Sequence, residues 1–153
     1  MPDAFVPKNP DFEAAVRESL ARQTFMTTLG ARLTHLAPGA VDLTVAFSPH
    51  LCQQNGFVHA GAVAGLADSA NGYAAFTLAA PETDVLAVEF KINLLAPARG
   101  TTFVARGRVL RPGRTLTVCL AEVFGQESGD ETLVAAMLST IIVRPRTAAS
   151  AAS

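Results

Sequence analysis

The sequence contains no tryptophan, a single tyrosine and two cysteines, Cys52 and Cys119. Two cysteines cannot build a disulfide framework, and neither has the C-x-x-C or Cys/His spacing that would hold zinc, so both are expected as reduced thiols. The shortage of tyrosine and tryptophan removes the stacking platform that a single-stranded nucleic acid needs. Charge is sparse as well. Only 16% of residues are charged and the formal net charge is -1, which gives no bulk attraction to nucleic acid or anionic membrane. Asp68 interrupts the longest apolar stretch, and the opening "MPDAFVPKNP" lacks the basic-then-apolar order of a signal peptide. A cytoplasmic protein with no membrane or nucleic-acid partner is expected.

Hydrophobic residues, in contrast, make up 50% of the 153. That is more apolar surface than one small core consumes, so an oligomer is expected. The length fits one domain, placed at residues 11–145, with an N-terminal arm at 1–10 and a disordered tail at 146–153. Pro10 and Asn9 predict the start of a short helix that buries Phe12, Val16 and Leu20 and ends near Thr24. "ARLTHLAPGAVDLTVAF" predicts a hairpin about Pro38-Gly39. An Ala/Gly/Leu-rich helix is predicted from about His59 to Ala79, and Pro81 terminates it. Four strands follow. The first should place Leu86, Val88, Phe90, Ile92 and Leu94 on one face, and a type II turn at Arg111-Pro112-Gly113-Arg114 should join the next two. A helix apolar on every side must be covered on every side, and a curved antiparallel sheet wrapped around it does this.

Asp68 is the residue that this arrangement does not explain. A carboxylate held away from water is either satisfied by hydrogen bonds, for instance from Asn71, or retained because its ionisation is used. Ala64 and Gly65, one turn before it, and Gly72, one turn after, would leave room for a ligand on the same face. The start of the helix offers the unpaired N–H groups of Ala60 and Gly61, where the dipole favours a developing oxyanion. His59 is better explained as a local capping residue than as a general base. From Ala60 to Asp68 is eight residues, about 12 Å along the axis, too far for one carbonyl to touch both. If both act on one bond they come from two subunits, with two such helices antiparallel across a two-fold axis. Gln53, in the preceding loop, can donate to a carbonyl or position a water, although alone it reads as a solvated loop amide, as do Gln54 and Asn55. Lys91, Arg99, Arg106, Arg108, Arg111 and Arg114 span a stretch with no acid, which fits an anion site for a phosphorylated small molecule.

These residues also resemble a known family. "QQNGFVHAGAVAGLADSANGYAA", with "VLAVEFKINLLAPARG" and "RVLRPGRTLTVC" downstream, is similar to the hotdog-fold acyl-CoA thioesterases, in particular the PaaI-like, phenylacetic acid degradation-related subgroup. His59 and Asp68 have the family's nine-residue offset. The resemblance implies an α+β hotdog fold, a curved antiparallel sheet wrapped around a long central helix. It implies a homodimer with shared active sites, commonly within a homotetramer, that hydrolyses aromatic or short- to medium-chain acyl-CoA to a free acid and coenzyme A. It implies no cofactor and no metal, since coenzyme A is part of the substrate. Asp68 would be the nucleophile or general base, Ala60 and Gly61 with His59 the helix end that polarises the carbonyl, and Gln53 the residue that orients it or the water. Coenzyme A would meet Asn55, Lys91, Asn93, Arg99, Arg111, Gly113 and Arg114. The motif reads H-A-G where H-G-G is usual, which keeps the N–H of Ala60 and adds a methyl. Two alternatives stand beside this: an acyl-CoA-binding module without turnover and, ranked lower, a hotdog acyl-CoA hydratase or dehydratase.

Overall fold

The computed structural model describes residues 5–148; the outermost parts of the expected arm and tail lie outside them. Helix α1 spans Phe12–Arg22, with Glu13 in its first turn and Arg22 in its last, where each sign of charge suits the helix dipole. Asn9 Oδ1 accepts from the Asp11 N–H at 2.9 Å just before it. The helix breaks at Gln23, which is extended, and restarts as a second helix, α2 (Thr24–Leu29), ended by Gly30 in the left-handed conformation. The sequence reading has one helix here. The short restart was missed because six residues carry too little periodicity to register.

Strands β1 (Arg32–Ala37) and β2 (Ala40–Ala46) form the expected hairpin, with Gly39 at φ 74. A 3-10 turn at Pro49–Leu51 leads to helix α3, Ala60–Phe76. α3 ends one turn before the predicted limit. Thr77 Oγ1 donates to the Ala74 carbonyl at 2.6 Å and accepts from the Gly39 N–H at 2.7 Å, which ties the helix end to the β1–β2 turn.

Strands β3 (Thr83–Leu94), β4 (Thr102–Arg111), β5 (Leu116–Glu127) and β6 (Asp130–Pro145) complete a six-stranded antiparallel sheet of order β1-β2-β4-β5-β6-β3. Two expectations change. Gly113 lacks the positive φ of a type II turn, and a longer loop joins β4 to β5. In β3 a bulge between Ala87 and Glu89 shifts the register, so Leu86 lies opposite Ile142 while Phe90, Ile92 and Leu94 oppose Ser139, Met137 and Ala135. Simple alternation would have kept Leu86 with those three.

The sheet packs its inner face on α3. Ala67, Ala70 and Ala74 are fully buried with Val41, Leu43, Ala105, Cys119, Ala121, Val123, Ala135 and Ile141. At the closest approach stands Gly107 of β4, where a Cβ would collide with the Ala70 carbonyl. Asn71 is buried on the same face and donates to Ser139 Oγ at 2.8 Å. Its amide is therefore committed to β6 and does not serve Asp68.

Strand β3 is at the edge of the sheet and is twelve residues long. Leu86, Val88, Phe90 and Leu94 are each about half exposed along it. A long apolar edge of this kind is unstable as a free surface and invites pairing with another strand.

Candidate active site

The two ends of the site have different local construction. At the first, the loop between the 3-10 turn and α3 folds back on itself. The Gln53 N–H donates to the Phe57 carbonyl at 2.9 Å, the Gly56 N–H to the Gln53 carbonyl at 3.1 Å, and the His59 N–H to the Leu51 carbonyl at 2.8 Å. Gln53 Oε1 accepts from the Asn55 N–H, which aligns the side chain and leaves its NH2 as the outward donor.

His59 is the N-cap of α3: its Nδ1 accepts from the Gly61 N–H at 2.8 Å. This geometry requires an unprotonated Nδ1, so the ring holds the helix end. It also removes Gly61 from the pair of free donors named from the sequence. The Ala60 N–H has no hydrogen-bond partner among the described residues and remains the open donor at the positive end of the helix. Gln53, His59 and Ala60 line a cavity of about 530 Å³ whose other wall is Leu94, Leu95 and Ala96.

Two turns along α3, Asp68 lines a different cavity, of about 360 Å³, beside Val85, Leu86 and Ala87 of β3. Its Oδ1 is buried with no hydrogen-bond partner. Burial pushes its carboxyl above the usual carboxylate range. The small residues around it play unequal parts. The space above Gly65 is filled by Phe25 of α2, whose Cε1 would lie 2.7 Å from an added Cβ, whereas Gly72 faces open space. Four polar residues of this cavity, Ser19, Gln23, Ser69 and Tyr73, were given no role from the sequence. Ser69 Oγ donates to Gln23 Oε1 at 3.1 Å, and Ser19 pairs with the Tyr73 hydroxyl at 3.3 Å. Gln23 itself stands at the break between α1 and α2, which no local pattern announces.

The basic stretch is less free than its sequence implies. Arg106 forms a two-pronged pair with Glu131 at 2.6 and 3.0 Å, and Arg108 meets Asp42 at 2.6 Å. Asp42 comes from the adjacent strand β2 and Glu131 from β6, two strands away across the sheet, which the linear reading could not see. Arg99 lies over the Phe57 ring at 4.7 Å, near the Gln53 loop that also carries Asn55. Arg111, Gly113 and Arg114 sit at the β4–β5 loop, and Arg114 and Gly113 line a cavity with Ala75 and Leu78 at the far end of α3 from Ala60. Lys91 and Asn93 are exposed on β3, opposite Leu138 and Ala136. One chain therefore does not bring the named coenzyme A residues together.

Residues 55–132 match the Thioesterase superfamily. The solved structure of a thioesterase family protein from Silicibacter pomeroyi is similar at a TM-score of 0.86 and 47% identity, covering 88% of this chain and 98% of that one. A Saccharolobus solfataricus protein, SSO1253, provisionally named an esterase, is 30% identical over 128 residues, 84% of this chain and 83% of its own length. The PaaI protein of E. coli, from the phenylacetic acid degradation operon, shares the fold at a TM-score of 0.80 and 18% identity, over 92% of this chain and 98% of that one. With a curved six-stranded sheet around one buried helix, an open donor at the helix start and an unpaired carboxylate two turns on, the chain belongs to the Thioesterase superfamily and is a thioester hydrolase of the hotdog fold.

Proposed function

We propose that the protein hydrolyses acyl-CoA thioesters to a free acid and coenzyme A, at a site assembled from two copies of the chain. The observation that carries this reading is the separation of Asp68 and the Ala60 N–H into two cavities that share no lining residue. The first opens beside Val85–Ala87 of β3 and the second beside Leu94–Ala96. Pairing two β3 edges antiparallel about Phe90 sets Leu86 of one chain opposite the partner's Leu94. The same axis, passing near Ala64 of α3, sets Asp68 opposite the partner's Ala60. One two-fold operation thus joins each Asp68 cavity to a donor cavity and covers the apolar edge.

The chemistry follows from the two halves. The thioester carbonyl oxygen accepts from the partner's Ala60 N–H and the partner's Gln53 amide, which stabilise the negative charge that develops on it. Asp68 either attacks the carbonyl carbon, expelling the coenzyme A thiolate and leaving an acyl–Asp68 anhydride that water then hydrolyses, or removes a proton from a water that attacks the same carbon as the thiolate leaves. A thioester is electrophilic enough that we assign no cofactor or metal to the step. Asn55 and Arg99 sit beside the donor half, while Lys91, Asn93, Arg111, Gly113 and Arg114 are assigned to coenzyme A only as the assembled dimer brings them near. The acyl group we assign is aromatic or short- to medium-chain, as the modest cavity volumes favour. Exposed Leu110, Leu116 and Leu138 support a further pairing of dimers into a tetramer. Among the described residues no helix is long and apolar enough to cross a membrane, and the free cysteines suit a reducing compartment, so we assign the enzyme to the cytoplasm.

The test is thiol release from phenylacetyl-, benzoyl-, hydroxybenzoyl-, hexanoyl- and palmitoyl-CoA by the wild type and Asp68→Asn. Release by the wild type that is lost in the variant is expected; release that is equal in both would remove Asp68 from the mechanism. Mixing inactive Gln53→Ala and Asp68→Asn chains should restore one working site in each mixed dimer. No recovery despite verified subunit exchange would refute the shared site.

A further inference from the structure

The cavity that holds Asp68 is more basic than its sequence surroundings. The guanidinium groups of Arg22, Arg144 and Arg146 line it, against the carboxylates of Asp68 and Asp84. Two of the three cations are engaged: Arg22 Nη1 lies 3.1 Å from Glu18 Oε1 on the same helix, and Arg146 Nε donates to Asp84 Oδ1 at 3.2 Å. The Arg144 residue is exposed on the rim, and its side chain makes no hydrogen bond or ion pair with the described residues. It is not part of a loose tail. β6 continues to Pro145, the ladder pairs Arg144 with Asp84 and Pro145 with Thr83, and the Arg146 N–H donates to the Glu82 carbonyl at 2.8 Å. The segment expected from the sequence to be disordered from residue 146 therefore begins as an ordered wall of this cavity.

We propose that Arg144, flanked by Arg22 and Arg146, forms an anion subsite on the rim of the Asp68 cavity that takes a phosphate or carboxylate group of the substrate. The inference deepens the thioesterase reading and rests on it for the identity of the substrate. A guanidinium is permanently charged, and its fork of donors fits a phosphate or a carboxylate through two parallel hydrogen bonds. The basic stretch from Lys91 to Arg114 does not supply this charge, because none of its six cations lines the cavity. The anion has two sources in an acyl-CoA: the phosphates of the coenzyme or a carboxylate on the acyl group.

The experiment uses the full chain and thioether analogues that cannot be hydrolysed, so that it reads binding whether or not thiol release is seen. Three probes are compared by calorimetry on the wild type and Arg144→Gln: a neutral aryl thioether of coenzyme A, the same thioether of pantetheine, and a pantetheine thioether with a terminal carboxylate. If the phosphates are the anion, Arg144→Gln raises Kd on the order of tenfold for the coenzyme A probe and leaves the neutral pantetheine probe unchanged. If the acyl carboxylate is the anion, the same loss falls on the carboxylate probe alone. Arg144→Lys should recover part of the affinity, since it restores the charge without the fork. Kd values changed by less than about twofold on all three probes, an equal loss on all three, or no binding of any probe to the wild type would overturn the subsite. A failure of the thioesterase reading shows separately, as absent thiol release with probe binding intact.

Discussion

The two halves of the candidate site, at the start and in the middle of α3, are built on opposite principles. Around Gln53 and His59 nearly every polar group is committed: the loop closes through backbone bonds, Gln53 Oε1 holds the Asn55 N–H, and the His59 ring takes the Gly61 N–H. Around Asp68 a buried carboxylate oxygen has no partner at all. The first half is a rigid scaffold that exposes two donors, the Ala60 N–H and the Gln53 amide, and the second keeps a charge in an unfavourable place. Preorganised donors lose little when a reaction occurs, whereas a desolvated carboxylate is a stronger base than a solvated one. On the proposed reading the difference separates residues that serve structure from the carboxylate that serves chemistry, and substitutions can test it.

The largest effect is expected at the unpaired end. Asp68→Asn should lower kcat by about 10²- to 10⁴-fold in the thiol-release assay, with little change in the circular dichroism spectrum. Next comes the joining of the halves: Phe90→Lys on the β3 edge should yield monomers by sedimentation and lower activity on the order of tenfold or more, because each chain then holds half a site. Gly107→Ala should destabilise by about 1–3 kcal/mol in urea denaturation, since the new methyl meets the Ala70 carbonyl. His59→Ala removes a cap and should cost about 0.5–2 kcal/mol of stability, while the acid limb of the pH profile stays in place. A shift of that limb would make His59 a proton carrier.

Titration of Asp68 sharpens the same contrast. Its folded pKa is raised by burial above that of the unfolded chain, so between the two the folded chain binds more protons than the unfolded one. Its contribution to stability is full below the unfolded pKa and is lost as pH rises through the folded pKa. At pH 7 the ionised group therefore opposes folding, and Asp68→Asn should raise Tm, with the gain shrinking as pH falls through the folded pKa. Activity moves the other way: kcat/KM falls on the acid side as Asp68 protonates, at a pH above the ordinary carboxylate range. A variant that is both inactive and less stable at pH 7 would contradict the idea that Asp68 is held at a cost.

Much of this was legible in the sequence. The all-round apolar helix, the strand alternation and the Pro38-Gly39 turn report local geometry, and Asp68 stood out because its surroundings did not explain it. What escaped was set by contacts between distant segments. Arg106 and Arg108 look unneutralised until β6 and β2 bring Glu131 and Asp42 beside them. The space above Gly65 looks open until Phe25 folds over it. The bulge in β3 depends on its fit to β6, and the order of residues 144–146 depends on pairing with β3. The division of the site into two cavities could be foreseen from the rise of a helix alone, because eight residues have only one possible length.

The contact between Gly107 and the Ala70 carbonyl pins α3 to the centre of the sheet. With no methyl's worth of slack at that point, the helix cannot slide along or tilt away from β4, so it serves as a ruler between the donor at its start and the acid two turns later. On the two-chain reading that ruler fixes the distance between the two half-sites one chain contributes, so the fit of each composite site is left to the borders: α1, α2, the Gln53 loop and the ends of β3 and β6.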